Sequence, residues 1–115
     1  MKAVLFRQHG GPDKLSYEDL PTPVIGPDEV LIKVKACALN HLDIWIRQGN
    51  PAYPMPLPHV SGSDVAGVVE QVGAQADHVT VGQSVFVSPG ISCWKCEQCL
   101  AGRDNFCKSY SLLGA

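Results

Sequence analysis

Four of the chain's five cysteines, Cys93, Cys96, Cys99 and Cys107, lie in the short segment SCWKCEQCLAGRDNFCK. Cys-x2-Cys-x2-Cys-x7-Cys lets three thiolates wrap one side of a cation while a short loop returns the fourth, giving tetrahedral sulfur at about 2.3 Å from zinc. An ion held this way keeps no open position for water or substrate, so the coordination count makes it structural. Four thiolates around a divalent ion leave negative charge over, and Lys95, Arg103 and Lys108 stand where they could offset it. The competing chemistries are two disulfides, a Cys96/Cys99 redox pair and an iron–sulfur cluster. An odd cysteine count in a chain read as cytoplasmic favours metal over disulfides. The polar neighbours Lys95, Glu97, Gln98, Arg103 and Asp104 favour zinc over iron–sulfur, which prefers a dry apolar shell. The loop has too few apolar side chains to hold its own shape, so metal coordination is expected to fold a lobe over about residues 90–110.

The elements that must carry this lobe follow from the periodicity. KAVLFRQ and KLSYEDL read as two strands joined by the turn HGGPD, and PTPVIGPDE as a connecting loop, since proline cannot donate to a central ladder. From Glu29 to Leu39 the chain alternates Leu31, Lys33 and Lys35 against Val30, Ile32, Val34 and Ala36, a half-buried antiparallel strand with Cys37 as a small core side chain. In NHLDIWIRQGN the period changes to that of a short helix, with Asn40 placed as its N-cap and Gly49 as its C-terminal cap. The prolines of PAYPMPLPHV make a stiff extended loop, while VAGVVEQVG and QSVFVS are β-branched strands. Short strands punctuated by 11 Gly and 9 Pro predict a mainly β fold, a partly open barrel with one small helix.

Composition bounds the function. The 115 residues make one domain. Charged residues are 17% of the chain against a usual share of about 25%, which points to a surface that something else normally covers. A net charge of −2 with no Lys/Arg run excludes nucleic acid and a polybasic membrane contact. No apolar stretch reaches the roughly 18 residues of a membrane span, and the N-terminus lacks a signal-peptide core, so a cytoplasmic location is expected.

Taken in order, KAVLF, GPDEVLIKVKACALNHLDIWIRQG, LPHVSGSDVAGVVEQVG, VTVGQSVFV and the four-cysteine lobe resemble the N-terminal catalytic domain of the medium-chain dehydrogenase/reductases, the family of zinc alcohol dehydrogenases and quinone oxidoreductases. The resemblance covers essentially the whole chain. It implies a GroES-like barrel, with one or two short helices and the zinc-stapled lobe, followed in complete members by a Rossmann domain that binds NAD or NADP. No G-x-G-x-x-G fingerprint occurs here. The expectation is therefore a catalytic-domain piece, residues 1–115, of an NAD(P)-dependent oxidoreductase acting on a small-molecule substrate and inactive without its cofactor domain. A face left uncovered would also favour self-association into homo-oligomers.

The departures from that pattern are informative. Where zinc members carry a cysteine ligand this chain has Asn40, and where they carry a histidine it has Ser63. An amide and a hydroxyl do not replace thiolate and imidazole, so the resemblance implies a structural zinc and no catalytic one. Asp64 holds the acidic position beside the lost histidine and Asp43 the family's aspartate at the helix start. Asn40 is the candidate to polarise a carbonyl, His41 to contact the cofactor pyrophosphate, and Leu42 excludes the hydroxyl relay. Plainer roles compete: Asn40 as a cap, Asp43 as a carboxylate favoured by the helix dipole, His41 as an exposed helix residue. Cys37, His41, His59 and Asp64 match no ligand spacing, His59 reads as a loop residue between Pro58 and Val60, and Tyr53 could border a substrate cleft. From another class of function, the rival is a stand-alone zinc-stapled barrel that binds a protein partner without chemistry.

Overall fold

The computed structural model describes all residues, Met1–Ala115. Two strands, β1 (Lys2–Phe6) and β2 (Leu15–Asp19), form an antiparallel hairpin in register from Lys2 opposite Asp19 to Phe6 opposite Leu15. The turn between them tightens into one 3-10 turn at Pro12–Lys14, where the fixed φ of proline starts the helix and the missing N–H costs nothing. Ion pairs join Lys2 to Asp19 across the hairpin and Arg7, just past β1, to Glu18.

The main sheet pairs β3 (Val30–Ala38), β4 (Asp64–Val72) and β5 (Ser84–Phe86) antiparallel, in the order β3-β4-β5. Two register shifts, between Leu31 and Ile32 and between Val34 and Ala36, bend β3 as it crosses β4. Gly67 sits where the two backbones come closest. A Cβ there would collide with the Lys33 carbonyl oxygen, so only glycine fits.

The predicted strands all form, but the half-buried face expected of β3 does not. From Lys33 to Ala38 every residue of β3 is exposed, Val34 to 55%, and so is Cys37, which is therefore no core side chain. The alternation is real, yet no second layer covers this half of the sheet, and Phe86 on β5 stands 86% exposed. Only ten of the 115 residues are buried. The radius of gyration is 15.6 Å, against about 13 Å for a compact chain of this length, and the sheets do not close into a complete barrel.

What core there is gathers around Phe6, fully buried with Leu5 and Val69. Phe6 exchanges two backbone hydrogen bonds of 3.0 Å with His59, and the rings of His9 and His59 pack against it at 5.7 and 5.5 Å. The PAYPMPLPHV loop is thus pinned at its end, and the His59 Nε2 lies 2.9 Å from the Gly114 carbonyl oxygen. Helix α1 (His41–Gln48) buries Ile46, and its last carbonyls are met by the Gly10 N–H and the His9 ring.

A third pairing was not legible in the pattern. β6 (Gly90–Ile91) and β7 (Ser111–Leu112) form a two-residue antiparallel ladder that closes the base of the cysteine lobe. A second, single-turn helix, α2 (Glu97–Leu100), lies inside the lobe, followed by a 3-10 turn at Asp104–Phe106.

Candidate metal centre and candidate active site

The lobe brings its four sulfurs together from consecutive tight turns. The Cys96 N–H donates to the Cys93 Sγ at 3.3 Å, the Cys99 N–H to the Cys96 Sγ at 3.5 Å, and the Cys93 and Ser109 N–H groups both to the Cys107 Sγ at 3.4 Å. Cys96 is the N-cap of α2, which places Cys99 one turn further on, facing back. Trp94 takes a left-handed backbone (φ 59°), an unfavourable conformation for a bulky residue, in the knuckle between Cys93 and Cys96.

All four Sγ atoms lie within 4.8 Å of one another, with Cys93 to Cys99 at 3.9 Å. A tetrahedron with zinc–sulfur bonds of about 2.3 Å has edges of about 3.8 Å, while a disulfide requires about 2.05 Å. The spacing fits a single four-sulfur ion site, and no cysteine is paired. Two of the thiols are also electrostatically prepared. The backbone N–H groups of Lys95 and then Cys96 lower the Cys93 thiol to about 6, and the Cys99 N–H lowers Cys96. Burial, with the adjoining Cys96 thiol, pushes Cys99 up to about 12. Four thiolates this close need a cation among them before all can ionise. Charge is offset here largely by backbone N–H groups, and Arg103, expected to help, instead binds Gln98 through its Nε at 2.8 Å.

A separate polar pocket of about 360 Å³ opens beside the start of α1. Asn40, His41 and Leu42 line one side, Ser63 and Asp64 another, and Pro89 and Leu112 complete it. The Asn40 Nδ2 donates to the Asp64 Oδ2 at 2.7 Å, joining the residues before α1 and at the head of β4. A carboxylate partner only accepts, which turns the amide nitrogen toward Asp64. Asp43 caps the helix: its Oδ2 accepts the Asn40 N–H at 2.7 Å, and its Oδ1 is buried without a partner. His41 packs edge-on against Trp45, ring centres 4.7 Å apart.

The structure thus brings Asn40, Asp64 and His41 to one pocket and leaves Asp43 behind it. His59, Cys37, His41 and Asp64 do not converge, and the cysteine cluster is the one place where three or more potential ligands meet. Two contributors carried no sequence signal, and a third, Ser63, reads only as a lost ligand. Pro89 and Leu112 reach the pocket through the base of the lobe, far along the chain, and the Ser63 Oγ is buried and unpartnered.

Comparison with known proteins gives a consistent picture. Residues 26–115 match the alcohol dehydrogenase GroES-like domain. An NAD-dependent alcohol dehydrogenase crystal structure is 50% identical and superimposes with a TM-score of 0.93, over 99% of this chain and 33% of that one. A cobalt- and zinc-bound thermostable alcohol dehydrogenase from Pyrobaculum aerophilum is 37% identical with a TM-score of 0.89, over 99% and 35%. The Homo sapiens quinone oxidoreductase is 41% identical over 102 residues, 88% of this chain and 31% of that protein. The chain spans about a third of the length of these relatives. No helix is long and apolar enough to cross a membrane.

Proposed function

The chain belongs to the alcohol dehydrogenase GroES-like domain family, and from that premise we propose that it is the substrate-handling part of an NAD(P)-dependent oxidoreductase interconverting an alcohol or quinol with its carbonyl. The observation that carries this reading is the Asn40–Asp64 hydrogen bond, set in a pocket where both residues share one wall system with His41 and Leu42. The dinucleotide site is expected in further sequence of the Rossmann type, since these residues hold no glycine-rich fingerprint.

Asp64 fixes the Asn40 amide, and the second N–H of Nδ2 is left to hydrogen-bond a substrate oxygen as negative charge develops on it. Asp43 acts one step back, holding the backbone of Asn40 at the helix start. His41, on the rim, offers an imidazole to a phosphate. When bound, the nicotinamide supplies or takes the hydride. Leu42 offers no hydroxyl, so the substrate's proton leaves by another path.

Cys93, Cys96, Cys99 and Cys107 hold a structural Zn²⁺ in this reading, which is not a catalytic one, because sulfur fills all four positions. At the pocket, Asn40 and Ser63 supply neither thiolate nor imidazole, and no second zinc is assigned there. The test joins metal analysis with an assay of the whole protein containing this chain. One zinc per chain, with NAD(P)-linked turnover of alcohols, aldehydes or quinones, is the expected result. Two zincs, or no turnover across those substrates with either dinucleotide, overturns it.

A further inference from the structure

The cysteine lobe is held from within by its sulfurs and covered thinly from without. Over residues 90–110 only Ser92, Cys99 and Cys107 are buried, while Cys93 and Cys96 remain half-open to solvent. Trp94, Leu100 and Phe106, the large apolar side chains next to the ligand positions, are all exposed. Small solutes therefore have access to the sulfur cage. The Cys93 Sγ lies 3.9 Å from the Cys99 Sγ, and a disulfide bond of about 2.05 Å needs only a further approach of about 2 Å. A change of χ1 rotamer moves a cysteine sulfur by more than that. The fifth cysteine, Cys37, stands apart from the cluster on β3.

We infer that Cys93 and Cys99 are a site of reversible oxidation, at which a hydroperoxide closes a disulfide and so unloads the lobe's ion. The inference rests on the structural-zinc reading for the ion and on the sulfur geometry for the pair. The half-open Cys93 thiolate attacks the peroxide O–O bond, becomes a sulfenic acid and releases hydroxide. The Cys99 thiolate then attacks that sulfur and displaces a second hydroxide. Two thiolates, one peroxide and two protons thus become one disulfide and two waters, and the two electrons that the sulfurs lose reduce the peroxide. Cys96 and Cys107 are left as the only donors, two where zinc takes four, and they release Zn²⁺ and take up protons. Without its ion the lobe keeps the two-residue ladder of β6 and β7 and almost no buried side chain.

The test follows the ion and the bond rather than turnover. The zinc-loaded chain is titrated with hydrogen peroxide beside a chromogenic pyridylazo chelator, which colours as zinc is freed, and peptide mapping locates the disulfide. One zinc freed for each Cys93–Cys99 bond formed is the expected result, with bound zinc fully recovered after a phosphine reductant and added Zn²⁺. Without peroxide the chelator should free less than about a tenth as much in the same time. Cys37→Ser, which leaves the cage intact, should release zinc at the parent's rate. Zinc retained while the thiols are oxidised, a bond mapped to another pair or between Cys37 residues of two copies, release that reduction does not reverse, or zinc lost as fast to the chelator alone, each overturns the inference. A chain that carries no zinc before peroxide is added overturns the structural-zinc reading as well, so the two failures are told apart at the first measurement.

Discussion

The cysteine lobe and the Asn40–Asp64 pocket share a boundary and are built from opposite materials. In the lobe four soft anionic donors converge within 4.8 Å, and backbone N–H groups aim at the sulfurs. In the pocket a carboxylate meets an amide at 2.7 Å, and the next residue is a hydroxyl. The first set is costly to assemble without a cation, while in the second the Asp64 carboxylate already has the Asn40 amide as its partner. Ligand chemistry therefore separates the two: metal belongs where charge is left over, and hydrogen bonding carries the work where it is already paired.

Removing the ion tests the contrast most severely. Chelation, or Cys99→Ser, is expected to abolish amide protection over residues 90–108 while β3 and β4 keep theirs. Structural zinc of this kind contributes on the order of 10 kcal/mol to folding. Hydrogen exchange reads the outcome, and loss of protection throughout would show that the two regions are one unit. The hairpin should answer to packing instead. Phe6→Ala is expected to cost about 3–5 kcal/mol in denaturant melts with bound zinc retained, because Phe6 is fully buried in the hairpin, packed against the His9 and His59 rings.

In the pocket, Asp64→Ala frees the Asn40 amide to turn. A fall in kcat of about 10- to 100-fold is expected in the intact enzyme, equivalent to about 1.4–2.7 kcal/mol, with zinc content unchanged. An unchanged kcat would remove Asn40 and Asp64 from the chemistry. A smaller effect belongs to the knuckle. Trp94 is 68% exposed and left-handed, so Trp94→Gly relieves strain at little loss of burial. Zinc affinity should rise by a few-fold, about 0.5–1 kcal/mol, in a competition titration.

The smallest change is on the hairpin surface. The hydrogen bond from Arg7, aided by one from Ser16, lowers the Glu18 carboxyl. A pKa lowered on folding contributes stability above the unfolded value, near about 4.3, and the contribution disappears as pH falls through the folded value. The E18Q variant should then be slightly less stable than the parent at pH 7, with the difference shrinking as the pH is lowered below the unfolded value. Arg7 is exposed and Glu18 only half-buried, which keeps the difference small.

How much of this could be read from the residues differs by element. The cysteine spacing announced its own geometry, because a ligand set works over a short stretch of chain and needs no outside partner. The strands and α1 followed from periodicity within a residue or two, as in Val30–Ala38 against the expected 29–39. The burial of β3 did not follow. Alternation says which face would be covered, and whether a cover exists depends on packing that local sequence cannot state. The same holds for the β6–β7 ladder, whose two-residue strands carry too little pattern to register. At the site, Asn40, Asp64 and His41 were found by resemblance, but the bond between Asn40 and Asp64 joins positions 24 apart and appears only in three dimensions.

The β6–β7 ladder gives the lobe a reach beyond its own turns. Gly90 has Tyr110 pressed where a Cβ would stand, and the strands it begins and Leu112 ends deliver Pro89 and Leu112 to the far wall of the polar pocket. An ion held by the four sulfurs would thereby set the width of the pocket that Asn40 and Asp64 line. Slackening the sulfur cage should therefore be felt as a looser grip on the substrate's oxygen end, a mechanical debt owed by one small loop to the other.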